Sequence, residues 1–154
     1  VTARVIEPWL LAPVERFVRE SGARLTLIMT PSGQVLAQHG FTRAVEVMSA
    51  AALGAGIAAS TAEIVRMLAE PDFRALNHQS AHHGIFLGRF ASRRGPLLAL
   101  VVYGADTSIG LVQLFFEDLV ADLEAAAPVV APRGPVLAAD FERDLDESLA
   151  TLFR

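Results

Sequence analysis

The chain reads as a single α/β domain. A five-stranded, mostly antiparallel sheet is sandwiched between one long helix and two terminal helices, with a further amphipathic helix tethered behind it. Three stretches predict this. Leu97 to Tyr103 is an unbroken apolar run rich in Leu and Val, which marks a strand covered on both faces. From Ile109 the period changes: Leu111, Phe115, Leu119 and Leu123 fall four apart, with Val112, Phe116 and Val120 beside them. Gln113, Glu117, Ala121 and Glu124 line the other side, so this is a helix with a broad buried face. Arg43 to Glu70 is a second, longer helix whose middle, SAAALGAGIAAS, is made almost wholly of small residues.

The remaining elements follow in order. Pro8 to Gly22 predicts a first helix: Trp9, Leu10, Val14, Phe17 and Val18 make its apolar stripe, and Ser21-Gly22 ends it. Arg24 to Thr30 and Gln34 to Gln38 are the two strands of a hairpin closed by Pro31-Ser32-Gly33. In the long helix, Leu53, Ile57, Ile64 and Leu68 are expected to face the sheet, with Ala51, Ala55, Ala58, Ala62 and Arg66 turned elsewhere. Its two interior glycines cost about 1 kcal/mol each relative to Ala, tolerable where another backbone comes close. Phe73 to Ala81, His82 to Ser92 and Gly95 to Tyr103 complete the sheet, the first being the most polar and so the expected edge. Asp106, Thr107 and Ser108 can each cap the helix that follows. Residues 1–126 are thus expected to form the domain, 127–138 a Pro-rich linker and 139–154 an amphipathic helix. That helix carries Phe141, Leu145, Leu149, Leu152 and Phe153 on one side and Asp140, Glu142, Asp144 and Glu147 on the other.

Composition removes several classes of function. The 154 residues carry a net charge of −4, and the basic residues, all arginine, are scattered rather than gathered on one face. A nucleic-acid surface needs the opposite. The absence of cysteine excludes disulfides, thiolate metal sites and a cysteine nucleophile, and fits a cytoplasmic setting. The N-terminal apolar patch is interrupted by Pro8, Pro13 and charges and does not read as a signal peptide. Ala50 to Ala59 is too short and too rich in Ala and Gly to span a bilayer.

The chemistry-bearing residues form no obvious catalytic set. Gly54-Ala-Gly56-Ile-Ala-Ala59 has the outline of a dinucleotide-binding glycine motif, but it lies in mid-helix rather than between a strand and a helix start. Close helix packing is the better reading. His78, His82 and His83 cluster, with His39 elsewhere; adjacent strand residues point to opposite faces, and no carboxylate is near in sequence. No metal site, cofactor or catalytic residue is expected.

Several local patterns, in this order of elements, resemble the roadblock/dynein light-chain family. Thr30-Pro-Ser-Gly33 followed by Val35-Leu36-Ala37 resembles the family's "D-x-x-G-x-V-L-A" hairpin, with Thr30 in the usual Asp position. Ser108-Ile-Gly-Leu-Val112 resembles its "s-x-L-G-L-V" opening of the last domain helix, and Ala59 to Leu68 fits the end of its small-residue helix. The His78-Gln79 pair and the tethered C-terminal helix are most similar to bacterial MglB-type regulators. The resemblance covers roughly residues 8–126. It implies a homodimer whose edge strands join into one sheet, with the long helices side by side. It also implies that the helical face binds a small Ras-like GTPase of the MglA type. Such a regulator repositions the GTPase's own switch residues and donates no catalytic group, and its C-terminal helix can grip a separate surface of the partner. Gliding and cell polarity are what the named relatives suggest.

On this basis the expected partner contacts are Arg43, Glu46, Ala51, Ala55, Ala58, Ala62 and Arg66 on the long helix, and Phe141, Leu145, Leu149 and Leu152 on the tail. Leu76, Asn77, His78 and Gln79 are the expected strand-to-strand dimer contacts. Alternatives stand beside each: pure dimer packing for the helix face, docking on its own domain for the tail, a solvated surface residue for Arg66. For the whole chain the alternatives are a non-catalytic scaffold of the same fold, or a small-molecule sensor domain.

Overall fold

The computed structural model describes residues 4–128 and 136–152. Its centre is an antiparallel sheet of six strands: β1 (Arg4–Val5), β2 (Leu25–Met29), β3 (Val35–His39), β4 (Ala75–Gln79), β5 (Gly84–Ser92) and β6 (Gly95–Tyr103), ordered β1-β3-β2-β6-β5-β4. The sixth strand, β1, departs from the five expected. It is two residues long, pairing Arg4 with Gln38 and Val5 with Ala37, and so short a segment carries no period to read.

β6 lies inside the sheet, between β2 and β5. Its side chains alternate between two cores, as a doubly covered strand requires. Leu97, Ala99, Val101 and Tyr103 join one with Phe17, Phe86 and Phe116; Leu98 and Leu100 join the other with Leu27, Met29 and Leu87.

The first core is closed by α1 (Leu11–Ser21) and α3 (Ile109–Ala126). A 3-10 turn, Pro8–Leu10, leads into α1, and Gly22 at φ 71° ends it in the left-handed conformation. Glu7 pins this start by accepting from the Trp9 indole and pairing with Arg94. The Trp9 bond, followed by Arg94, holds the Glu7 carboxyl below its ordinary range. Ser108 caps α3, its hydroxyl accepting from Leu111 N at 3.3 Å. The buried seam of α3 is Val112, Phe116, Leu119 and Leu123. Leu111 is exposed and Phe115 only partly covered, because the aromatic cluster of Phe86, Phe90 and Phe116 turns the helix onto its Phe116 side.

The second core is closed by α2 (Ala44–Met67). Its orientation is the reverse of the sequence expectation. Ala51, Gly54 and Ala58 are buried on the sheet, whereas Leu53 is 68% exposed, Ile64 59% and Leu68 69%, with Ile57 also exposed. The cause is complementarity of size. Leu27, Met29, Leu87, Leu98 and Leu100 already fill this side of the sheet, so the helix must present small residues to come close. A methyl added at Gly54 would lie 2.6 Å from Met29 Cε. By length and composition α2 could cross a membrane; here it packs on the sheet with its small residues. α4 (Val136–Leu152) follows, starting three residues before its expected position.

Candidate functional site

Two exposed features stand out among the described residues: the free edge of β4 and the outer face of α2. β4 pairs with β5 along one side only, from Ala75↔Gly88 to Gln79↔Gly84. All five of its residues are exposed. Its register is nevertheless fixed. Phe73 is buried just before it, and the Asp72 carboxylate meets Arg89 Nε at 3.2 Å. At the other end, the Tyr103 hydroxyl lies 2.9 Å from Asn77 Oδ1 and 3.3 Å from Gln79 Oε1. Gly84 makes room for the Tyr103 ring, which any side chain at that position would overlap. Asn77 and Gln79 therefore sit on the Tyr103 face. By alternation, Leu76 and His78 sit on the α2 face, opposite Leu87 and Ile85.

The strand thus places Leu76, Asn77, His78 and Gln79 together on an exposed edge, as the sequence predicts for β4 itself. A straight edge with unpaired N–H and C=O groups, no proline and no bulge is a template for another strand.

On α2 the sequence-predicted residues divide. Ala51 is 1% exposed and Ala58 4%, so both lie beneath the helix and offer no outer surface. Ala62 packs partly against the same core, and Ala55 is half-buried. Arg43, Glu46 and Arg66 are exposed. Arg66 is paired with its neighbour Glu63 in an exposed ion pair, an arrangement worth little to stability. The outer face carries instead Leu53, Ile57, Ile64 and Met67, all exposed, with Gly56 between them facing open space; Met48, also exposed, lies half a turn round the helix from Ile57. The sequence expectation that Leu53, Ile57, Ile64 and Leu68 face the sheet fails because a helix apolar on nearly every side gives no sign of which face is inside. The available signal lay in the strands, whose large side chains leave no room for a second large layer.

Among the described tail residues, Leu145, Leu149 and Leu152 are exposed. Phe141 belongs to α4, but its side chain lies outside the described residues, as do linker residues 129–135. Among the described residues no group of three or more His, Cys, Asp or Glu could hold a metal ion. His83 Nε2 lies 3.2 Å from the Arg24 guanidinium. His39 is half-buried with its Nδ1 unpartnered, and burial pushes its pKa below the ordinary value.

The hairpin and helix cap that carry the family resemblance have their geometry in place. Thr30 Oγ1 accepts from Gln34 N at 3.1 Å, and Gly33 takes φ 90°. Among solved structures, the fold is similar to Myxococcus xanthus MglB, with TM-score 0.70 and 21% identity over 78% of this chain and 95% of that one. It is also similar to the gliding protein MglB of Thermus thermophilus, with TM-score 0.67 and 25% identity over 77% and 88%. An MglB with a tetrameric arrangement gives TM-score 0.66 and 25% identity over 77% and 87%. Compared by sequence with proteins of curated function, the chain matches none. The family profile of the Roadblock/LC7 domain matches residues 11–102, more than half of the 154 residues, and the chain belongs to the Roadblock/LC7 family.

Proposed function

We propose that this protein is a homodimeric, non-catalytic regulator of a small Ras-like GTPase of the MglA type. Two β4 edges join antiparallel into a continuous sheet through Leu76, Asn77, His78 and Gln79. This brings the two α2 helices onto one side of the dimer. The GTPase docks on that helical side, and the regulator acts by favouring the hydrolysis-competent arrangement of the GTPase's own switch residues. The tail leucines Leu145, Leu149 and Leu152, with Phe141, grip a second surface of the partner.

The observation that carries this reading is the outer face of α2. Leu53 is 68% exposed and Met67 84%, on a helix whose sheet contact needs only small residues. Large apolar side chains set outward in a row mark an interaction surface. A flexible methionine such as Met67 suits a partner that changes shape with its nucleotide. The contacts therefore pass from the buried Ala51 and Ala58 to Leu53, Ile57, Ile64 and Met67, with Arg43, Glu46, Ala55, Ala62 and Arg66 at their sides. The similarity to MglB folds supports the choice of partner class.

The test is single-turnover GTP hydrolysis by an MglA-type GTPase from the same genome, with and without this protein. The expected result is a rate enhancement that saturates near two chains per GTPase and is lost in Ile57→Glu. Binding without enhancement would support the scaffold reading instead. A solution mass of one chain at micromolar concentration would sink the edge-to-edge dimer.

A further inference from the structure

A cleft of about 300 Å³ opens between β1, β3 and the first turns of α2. It is separate from the β4 edge, at the opposite end of the sheet. Its size is at the lower end of the range of about 300–1,000 Å³ usual for small-molecule sites. The walls are apolar, formed by Val5, Leu36, Phe41 and Val47, while Arg4 and Arg43 stand at its margin. Both arginines are exposed, and among the described residues neither has a carboxylate partner.

Three further features point to a bound group. α2 begins here without a side-chain cap. The N–H groups of Glu46 and Val47 return to Arg43 O at 3.1 and 3.3 Å, which leaves those of Ala44 and Val45 for another acceptor. The acidic residue of this turn, Glu46, is exposed and does not line the cleft. Inside, Gln38 lines the cleft, is only 9% exposed, and its Oε1 is buried with no hydrogen-bond partner. A buried acceptor left unpaired is costly, and Gln38 is part of the cleft wall.

We propose that this cleft binds a small amphipathic carboxylate. Its apolar body lies between Val5, Phe41 and Val47. Its carboxylate sits between Arg4, Arg43 and the first amides of α2, where both the positive charges and the helix N-terminus favour an anion. A hydrogen-bond donor on its body satisfies Gln38. The bound molecule would brace the start of the helix whose outer face is the proposed partner surface, yet the site itself does not depend on that reading.

The test uses the full chain alone, with no GTPase present, so its failure leaves the regulator reading untouched. Octanoylglycine supplies an apolar tail, an amide donor and a carboxylate; octanoylglycinamide has the same shape without the charge. Titration calorimetry should give saturable binding of octanoylglycine, one per chain, at least tenfold tighter than the amide. Arg4→Ala with Arg43→Ala should remove that tenfold preference. Ala44→Trp, which fills the mouth, should abolish binding, and Met48→Trp should do the same if its unfolding midpoint is unchanged. Unsaturable binding, equal affinity for acid and amide, or undiminished binding in both tryptophan variants would each overturn the proposal. So would binding seen only after removal of residues 1–3, since the chain's own end would then be the occupant.

Discussion

The reversed orientation of α2 makes a sharp energetic prediction through one pair of substitutions. Ala58 is 4% exposed and belongs to the core that Leu27, Met29, Leu87, Leu98 and Leu100 fill. Ala58→Leu forces three more heavy atoms into a filled layer, and overpacking of this kind costs about 1–3 kcal/mol. Leu53 lies on the outer side at 68% exposure, so roughly a third of its side chain is covered. Full burial of a leucine is worth about 1.5–3 kcal/mol, so Leu53→Ala should cost the single chain about 0.5–1 kcal/mol. The two variants differ in size of effect rather than in response to concentration. Each should lower the urea midpoint by its own amount at every chain concentration, because the proposed β4-to-β4 dimer leaves the outer face of α2 uncovered. Urea unfolding monitored by circular dichroism separates them. A loss of about 2 kcal/mol or more for Leu53→Ala in dilute solution, the size expected of a buried leucine, or a neutral Ala58→Leu, would refute the orientation argued from size complementarity.

Two further perturbations probe local features. Ala69 holds φ 57° at the end of α2, where its N–H reaches Arg66 O at 3.1 Å. Ala69→Gly should therefore stabilise the chain by about 1 kcal/mol, as a left-handed position relieves an alanine; a lower unfolding midpoint would contradict this. His39 binds its proton less readily folded than unfolded, because of its burial. The unfolded chain takes up that proton first as pH falls through about 6.5. Its contribution to stability is thus full above that pH and is lost as pH drops toward the folded value. His39→Gln should flatten this part of the stability profile between pH 7.5 and 5.5, and an unchanged slope would remove His39 from the account.

Much of the fold was legible because some segments can satisfy their surroundings in only one way. Leu97 to Tyr103 has no polar side chain to offer solvent until the tyrosine hydroxyl, so it had to be covered above and below. Ser108 sits where the period changes, the last of three residues able to cap, and the polar sequence of β4 fits an edge. α2 was legible as a helix but not in its rotation: apolar residues on every side satisfy the period whichever face turns inward. Only the partners across the contact, Met29 and Leu100 against Gly54, decide it. The two-residue β1 left no trace in the pattern, because its existence depends on Gln38 and Ala37 being free to pair. The candidate surface on α2 could therefore be read from the sequence as an element, but not as a set of side chains.

The β2–β3 hairpin carries threonine where its relatives' pattern has aspartate. Its hydroxyl closes the turn onto Gln34 N and meets Ser32 Oγ at 2.9 Å. A carboxylate in that place would weaken its grip whenever it took up a proton, and would respond to every ion near it. A hydroxyl does neither. Gly33, at the tip of this turn, lies against the Ala51–Ala55 segment of α2, so the hairpin props the helix from below by a contact that acid and salt leave alone. Whatever alters the bearing of α2 on the sheet must therefore enter from the helix's ends or from its outer side, not through this support.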